Sequence, residues 1–200
     1  EKPEKQPLLL TCQLDREDKE RFPSFSLKES YRDSEKMFAN EFKTMLTAAY
    51  GGAQAVPSLR ANMGCGIFPT LFGVKQEVFD DKMPWIREHL TKERLSGMGV
   101  EDLRISDDFK LGLEHMAYMA QMLEGTGCMV YPMDLQGPFD IAHLVYGDAI
   151  FYELYDDPEF VHHLLELSCQ AIFLGMEECF KVIPDSDKKL AHYNCLVMPR

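Results

Sequence analysis

The stretch YPMDLQGPFDIAHLVYG, residues 131–147, decides how the rest of the chain reads. It overlaps an apolar run, GCMVYPM at 127–133, which has strand length and a glycine at its start. Asp134 and Gln136 emerge where that strand ends. Gly137 permits close approach of the backbone, and Pro138 presets φ for a first helical turn. Residues 138–146 then read as a short helix, with Gly147 as its stop. An acid and an amide at the carboxyl end of a buried strand, just before a helix, is how parallel α/β folds build their sites, because the βα loops converge there. The competing reading is structural: Asp134 and Asp140 would merely cap the short helix.

Working outward, residues 31–50 place Met37, Phe38, Phe42, Met45, Leu46 and Ala49 at helical spacing, with Gly51-Gly52 as a left-handed stop. Residues 54–59 read as a buried strand that Pro57 weakens. A Gly/Pro-rich loop containing NMGCGIFPTLFG (62–73) follows, then an alternating segment at 74–79 and an expected helix over 85–95. Ser106 reads as the N-cap of a long helix over 107–124, with Asp107 and Asp108 at the positive end of its dipole and Gly125 at its end. Asp157-Pro158-Glu159 is a helix start, and that helix is expected to run to about residue 179. Residues 190–198 read as a further buried strand. Three strand candidates alternating with helices predict a parallel β/α architecture. The last one has no covering helix, which would leave an edge strand bare. The chain is therefore expected to be the N-terminal part of a larger domain.

Composition narrows the function. Of the 200 residues, 46% are apolar and 27% charged, which is globular composition; 33 acids against 21 bases give a formal net charge of −12. Such a surface repels phosphate backbones and anionic membranes, so neither nucleic acid nor a membrane is the expected partner. No apolar run reaches the ~20 residues of a membrane helix and no charged-then-apolar leader opens the sequence, so the expected location is cytoplasmic. Six irregularly spaced cysteines read as reduced, mostly buried thiols. The loop at 62–68 lacks the lysine of a phosphate loop. The twelve methionines read as core filler.

Two longer motifs, GPFDIAHLVYG (137–147) and YELYDDPEFVHHLLELSCQAI (152–172), resemble the uroporphyrinogen decarboxylase superfamily. That superfamily also holds zinc-dependent methyltransferases acting on corrinoid-bound or thiol methyl groups. Gly137, Pro138, Phe139, Gly147, Asp157, Pro158, Glu159, His163, Leu164 and Leu165 carry the match. The resemblance is specific over residues 127–180 and weaker over 31–126. It implies an α/β fold, the N-terminal part of a (β/α)8 TIM barrel, with residues 1–30 as an extension and 31–200 as the partial barrel domain.

The first function it implies is a decarboxylase-like lyase acting on tetrapyrrole acetate side chains. Asp134 would be the catalytic anion stabilising a protonated pyrrole, and Arg60, Asn62, Gln136, Phe139, Asp140 and His143 would bind substrate. The departures are specific. The family's arginine-rich N-terminal motif is absent, and no acid stands near residues 60–62, where the pyrrole-binding aspartate would fall. Asp140 replaces the usual threonine, and Leu144 falls near the tyrosine position, with Tyr146 two residues on. The alternatives are a zinc-dependent methyltransferase acting on corrinoid or thiol methyl groups, and a non-catalytic protein that binds a tetrapyrrole or corrinoid. The decarboxylase reading needs no cofactor. The methyltransferase reading needs zinc, whose ligands are expected beyond residue 200, since His192 and Cys195 stand three apart and would point to opposite faces of a strand. The expected partner is a small molecule, a tetrapyrrole or a methylated corrinoid or thiol, with a homodimer left open.

Overall fold

The computed structural model describes residues 22–50, 57–187, 189–191 and 197–199. Ser26 opens α1 (Leu27–Arg32) through a capping box. Its Oγ accepts the Glu29 N–H at 3.2 Å, and the Glu29 carboxylate accepts the Ser26 N–H at 3.1 Å. Asp33 then breaks the single helix expected over 31–50. Its carboxylate accepts the backbone N–H groups of Glu35 and Lys36 at 3.0 and 3.1 Å, which caps a separate α2 (Ser34–Tyr50).

Next come β1 (Ser58–Leu59), a 3-10 turn at Pro69–Phe72, and a small antiparallel pair, β2 (Gln76–Glu77) with β3 (Trp85–Ile86). The helix expected over 85–95 is confined to α3 (Lys92–Ser96), capped by Thr91. The reason lies in the last turn of a later helix: the Leu90 N–H donates to the Val145 carbonyl at 2.8 Å, and His89 Nδ1 bonds the Leu144 carbonyl at 3.1 Å. Trp85 and Ile86 are held in the pair with β2, and His89 and Leu90 serve the orphan carbonyls of a helix end, instead of forming a helix themselves. Ser106 caps α4 (Asp107–Met122) as expected, its Oγ accepting the Phe109 N–H at 3.0 Å. The chain continues through β4 (Met129–Val130), α5 (Pro138–Tyr146), α6 (Ile150–Asp156) and α7 (Pro158–Val182).

The parallel architecture is present in its smallest form. β1 and β4 pair in parallel, Ser58 opposite Met129 and Leu59 opposite Val130, with α4 in the connection between them. The third strand expected at 190–198 is a correction. Its described parts, β5 (Lys189–Ala191) and β6 (Val197–Pro199), pair antiparallel with each other, Lys189 opposite Pro199. A short apolar run does not by itself distinguish a through-going strand from the two arms of a hairpin. The described chain is a helix-rich α/β fold with few strands. None of its described helices is long and apolar enough to cross a membrane.

The core is built on α2, α4, α5 and α7. Phe68, Phe109, Met116, Met119, Ile141 and Leu164 are fully buried, and side chains of this size each contribute about 1.5–3 kcal/mol on leaving water. Phe68 and Phe109 meet edge to face, their centroids 5.4 Å apart, directly over Gly175 of α7. His115 of α4 is 0% exposed; its Nε2–H donates to the Tyr31 carbonyl at 3.0 Å and its Nδ1 accepts the Ser34 hydroxyl at 2.8 Å. This ties α4 to the α1–α2 junction, and burial lowers the imidazole's affinity for a proton.

Two outcomes follow. A Cβ on Gly175 would lie 2.6 Å from Phe68 Cε1 and 2.9 Å from Phe109 Cζ. Gly175→Ala gains about 1 kcal/mol of helix propensity but overpacks two rings that have no room to move, at about 1–3 kcal/mol or more. A net loss, read as a Tm lowered by several degrees, is expected; an unchanged or raised Tm would contradict the packing. For His115 the folded-state affinity is depressed, so the unfolded chain binds the extra proton. Stability is complete above the ordinary imidazole value of 6.5 and declines as pH falls below it. Urea unfolding should show that decline in wild type and a flatter profile in His115→Gln.

Candidate functional site

The site grows from the register of β1 on β4. Met129 N–H donates to the Pro57 carbonyl and Tyr131 N–H to the Leu59 carbonyl, each at 2.9 Å. The carboxyl ends of the two strands therefore stand side by side. Arg60 leaves one end and Asp134 the loop beyond the other, and the guanidinium and the carboxylate form an ion pair. The two side chains are only 12% and 22% exposed, so the pair sits in a partly desolvated setting where geometry counts for more than at a surface. Tyr131 adds to the field holding Arg60 charged.

Glu41, which the sequence pattern did not single out, completes the cluster. α2 packs against β1 and carries this side chain to the strand end. There its carboxyl takes a hydrogen bond from the Asn62 amide and lies within the fields of Arg60 and Asp134. Burial pushes the carboxyl up from its ordinary value and Asp134 adds to the rise, while Arg60 and Asn62 oppose it. The Oδ1 atom of Asn62 and the Oγ of Ser58 are buried without a hydrogen-bond partner among the described residues.

The 62–68 loop runs near this cluster, with Cys65 within the field of Asp134. Gln76 anchors it: its amide donates to the Met63 carbonyl at 3.0 Å and to the Tyr31 hydroxyl at 3.2 Å, and Tyr31 in turn bonds Asp108. Cys65, half-buried, has its thiol pushed up by burial first and then by the negative fields of Asp134 and Asp140.

The remaining expected residues lie along the start of α5. Gln136 is half-buried and Asp140 exposed. Phe139 packs on Phe151 with centroids 5.8 Å apart, and His143 lies 5.3 Å from the same ring. His143 Nε2 is 2.7 Å from an Asp148 carboxylate oxygen, so its outer nitrogen faces Asp148. The structure thus brings Arg60 and Asp134 into one polar cluster with Asn62 close by, and sets Phe139 and His143 on an aromatic wall with Phe151. His163, matched to the family motif, bonds the Leu95 carbonyl at 3.2 Å and fastens the end of α3. A cleft of about 450 Å³ lined by Leu123, Gly127, Cys128 and Pro184 opens at the amino end of β4, away from Asp134. Arg200, His192 and Cys195 lie outside the described residues. No group of three His, Cys, Asp or Glu side chains among the described residues could hold a metal ion.

No family model and no curated protein matches the sequence. The fold is similar to that of a methyltransferase from Methanosarcina mazei, with a TM-score of 0.63 and 15% identity over 91% of this chain and 52% of that one. The chain thus spans about half the length of that structure.

The ion pair can be tested by a double-mutant cycle. Arg60→Ala, Asp134→Ala and the double variant should give a coupling of about 1–3 kcal/mol in urea unfolding, between surface and buried pairs. Additive single effects would show that the two side chains do not pair.

Proposed function

We propose that this chain is part of a methyltransferase, built on the N-terminal part of a (β/α)8 barrel, that works at the carboxyl ends of β1 and β4. The observation that carries this reading is the shared fold with a methyltransferase over 91% of the chain. The site's electrostatics support it against the decarboxylase alternative. Stabilising a protonated pyrrole needs an uncompensated anion where the positive charge develops. Here Asp134 is already partnered by Arg60, so it is better suited to orienting a polar group than to stabilising a cation.

Methyl transfer asks mainly for alignment of donor, methyl carbon and acceptor, with water kept out. In this reading Asp134 accepts a hydrogen bond from the substrate, and Arg60 fixes the direction in which it does so. Asn62 offers its buried oxygen as a second acceptor. Phe139 and Phe151 form the apolar side of the site, with Gln136, Asp140 and His143 at its rim. Zinc, which the family resemblance implies for activating a thiol acceptor, finds no set of three donors among the described residues.

The test offers the protein methylcobalamin with a small thiol, and separately uroporphyrinogen. Loss of the methyl–cobalt absorption together with thioether detected by mass spectrometry is the expected result. Asp134→Asn should lower that rate by about 10²-fold, the scale of a misplaced reactant. Decarboxylated porphyrinogen, or a bound chromophore without product, would instead favour the lyase or the binding protein and overturn the proposal.

A further inference from the structure

A second cleft, of about 460 Å³, shares no residue with the Arg60–Asp134 cluster. It is lined by the 3-10 turn at Pro69–Phe72, the end of α3, and the segment leading into α4. Two arginines line it, Arg94 from α3 and Arg104 from just before α4. Both are fastened to the chain at 71–73. A Cβ on Gly73 would lie 3.6 Å from Arg94 Nη2, so that guanidinium rests beside the glycine, whose φ of +89° few other residues adopt. Arg104 donates its backbone N–H to the Leu71 carbonyl at 3.1 Å and its Nη1–H to the Leu103 carbonyl at 2.7 Å. A guanidinium carries five N–H donors, so most of the donors on these two side chains are uncommitted. Neither arginine forms an ion pair with a carboxylate among the described residues.

The other polar side chains of the cleft are satisfied internally. The Thr70 hydroxyl donates to the Ile67 carbonyl at 2.6 Å, and the Ser106 hydroxyl donates to Thr70 Oγ1 at 2.7 Å. Ser106 Oγ accepts the Phe109 N–H at 3.0 Å. Asp102, the one acid among the described lining residues, accepts the Gly99 N–H at 2.9 Å. The start of α4 adds no positive field of its own, since Asp107 and Asp108 already occupy its first turn. The uncommitted side-chain donors are therefore the two guanidinium forks. Acids outnumber bases 33 to 21 in the chain, yet here two cations face one acid.

We propose that this cleft binds the phosphate group of a small molecule through Arg94 and Arg104. A guanidinium fork takes two oxygens of an anion side by side. A carboxylate has only those two and is used up by one arginine, whereas a phosphate keeps a further oxygen for the second. Its double charge also matches two cations. The volume falls within the range of about 300–1,000 Å³ common to small-molecule sites. It exceeds what a bare phosphate fills, which leaves room beside Met98 for the rest of the ligand.

The experiment is a calorimetric titration of the full chain with inorganic phosphate, phenyl phosphate and benzoate, with amide NMR to locate the change. The expected result is saturable binding of the phosphates, shifts at the Gly73 and Gly97 amides, and weaker binding of benzoate. Arg94→Gln and Arg104→Gln should each weaken the phosphates by about 10-fold, the scale of one hydrogen bond to a charged group. Lys28→Gln, which removes an exposed cation on α1, should change nothing. Both arginines are exposed, so their loss leaves the core intact, and an unchanged Tm verifies that each variant is folded. Tighter binding of phenyl phosphate than of inorganic phosphate marks an ester as the ligand, and equal binding marks free phosphate; either upholds the proposal. Benzoate binding as tightly as phenyl phosphate, no saturable shift at Gly73 and Gly97, or equal weakening by Lys28→Gln overturns it. None of these readouts uses the Arg60–Asp134 site or turnover, so the outcome is independent of the methyltransferase reading.

Discussion

The pairing of β1 with β4 is the constraint on which the rest of the described structure depends. It consists of little more than Leu59 and Val130 held in register by the bonds from Met129 to Pro57 and from Tyr131 to Leu59. Two strands this short are not stable alone. They persist because α2 and α4 pack on them and Leu59 and Val130 are buried. A slip of one residue would turn every side chain of one strand to its other face. Arg60 would then leave the strand end away from Asp134, and the polar cluster would not form. The hydrophobic core and the chemistry of the site are therefore fixed by the same register.

Within that frame the Arg60–Asp134 pair changes what each residue can do. Read separately, Asp134 is an anion available to a substrate cation and Arg60 a cation available to a substrate carboxylate. Together they are a dipole with a fixed direction. A paired, partly buried aspartate is better placed to accept a hydrogen bond than to stabilise a full positive charge. The loop at 62–68, tied back by Gln76 to the Met63 carbonyl and to Tyr31, keeps Asn62 and Cys65 on this dipole's flank.

Much of the scaffold was legible because its signals are local. Ser106, Pro138 with Gly147, and Asp157 with Pro158 each start or stop a helix by bonds within a few residues, and each does so in the structure. What could not be read depends on distant partners. Residues 85–90 are not helical because Trp85 and Ile86 pair with β2 while His89 and Leu90 satisfy carbonyls of α5, about 55 positions along. The described ends of the run at 190–198 pair antiparallel with each other because Lys189 meets Pro199. Asp33 splits a helix that periodicity alone would join, since its side chain offers the backbone a cap. Pattern and resemblance place Asp134 at a strand end, but they make Arg60 a substrate contact and not its partner, because pairing across two strands has no sequence period. Glu41 did leave a trace: it stands four residues from both Met37 and Met45, two members of the buried stripe of α2. A lone acid in line with buried methionines at helical spacing is an acid directed at the interior.

That placement links the fold's buried histidine to its polar site through one rigid element. α2 begins at Ser34, whose hydroxyl bonds His115, and Glu41 stands seven residues further on, about 10 Å along the axis at the usual helical rise. The neutral His115 holds both the Tyr31 carbonyl and the Ser34 hydroxyl, so it sets the rotation of α2 about its own axis at the point where the helix starts. A helix face turns by about 100° per residue, so Ser34 and Glu41, seven residues apart, stand on nearly the same face of α2. The Ser34–His115 bond and Glu41 thus lie on one continuous helix, seven residues apart.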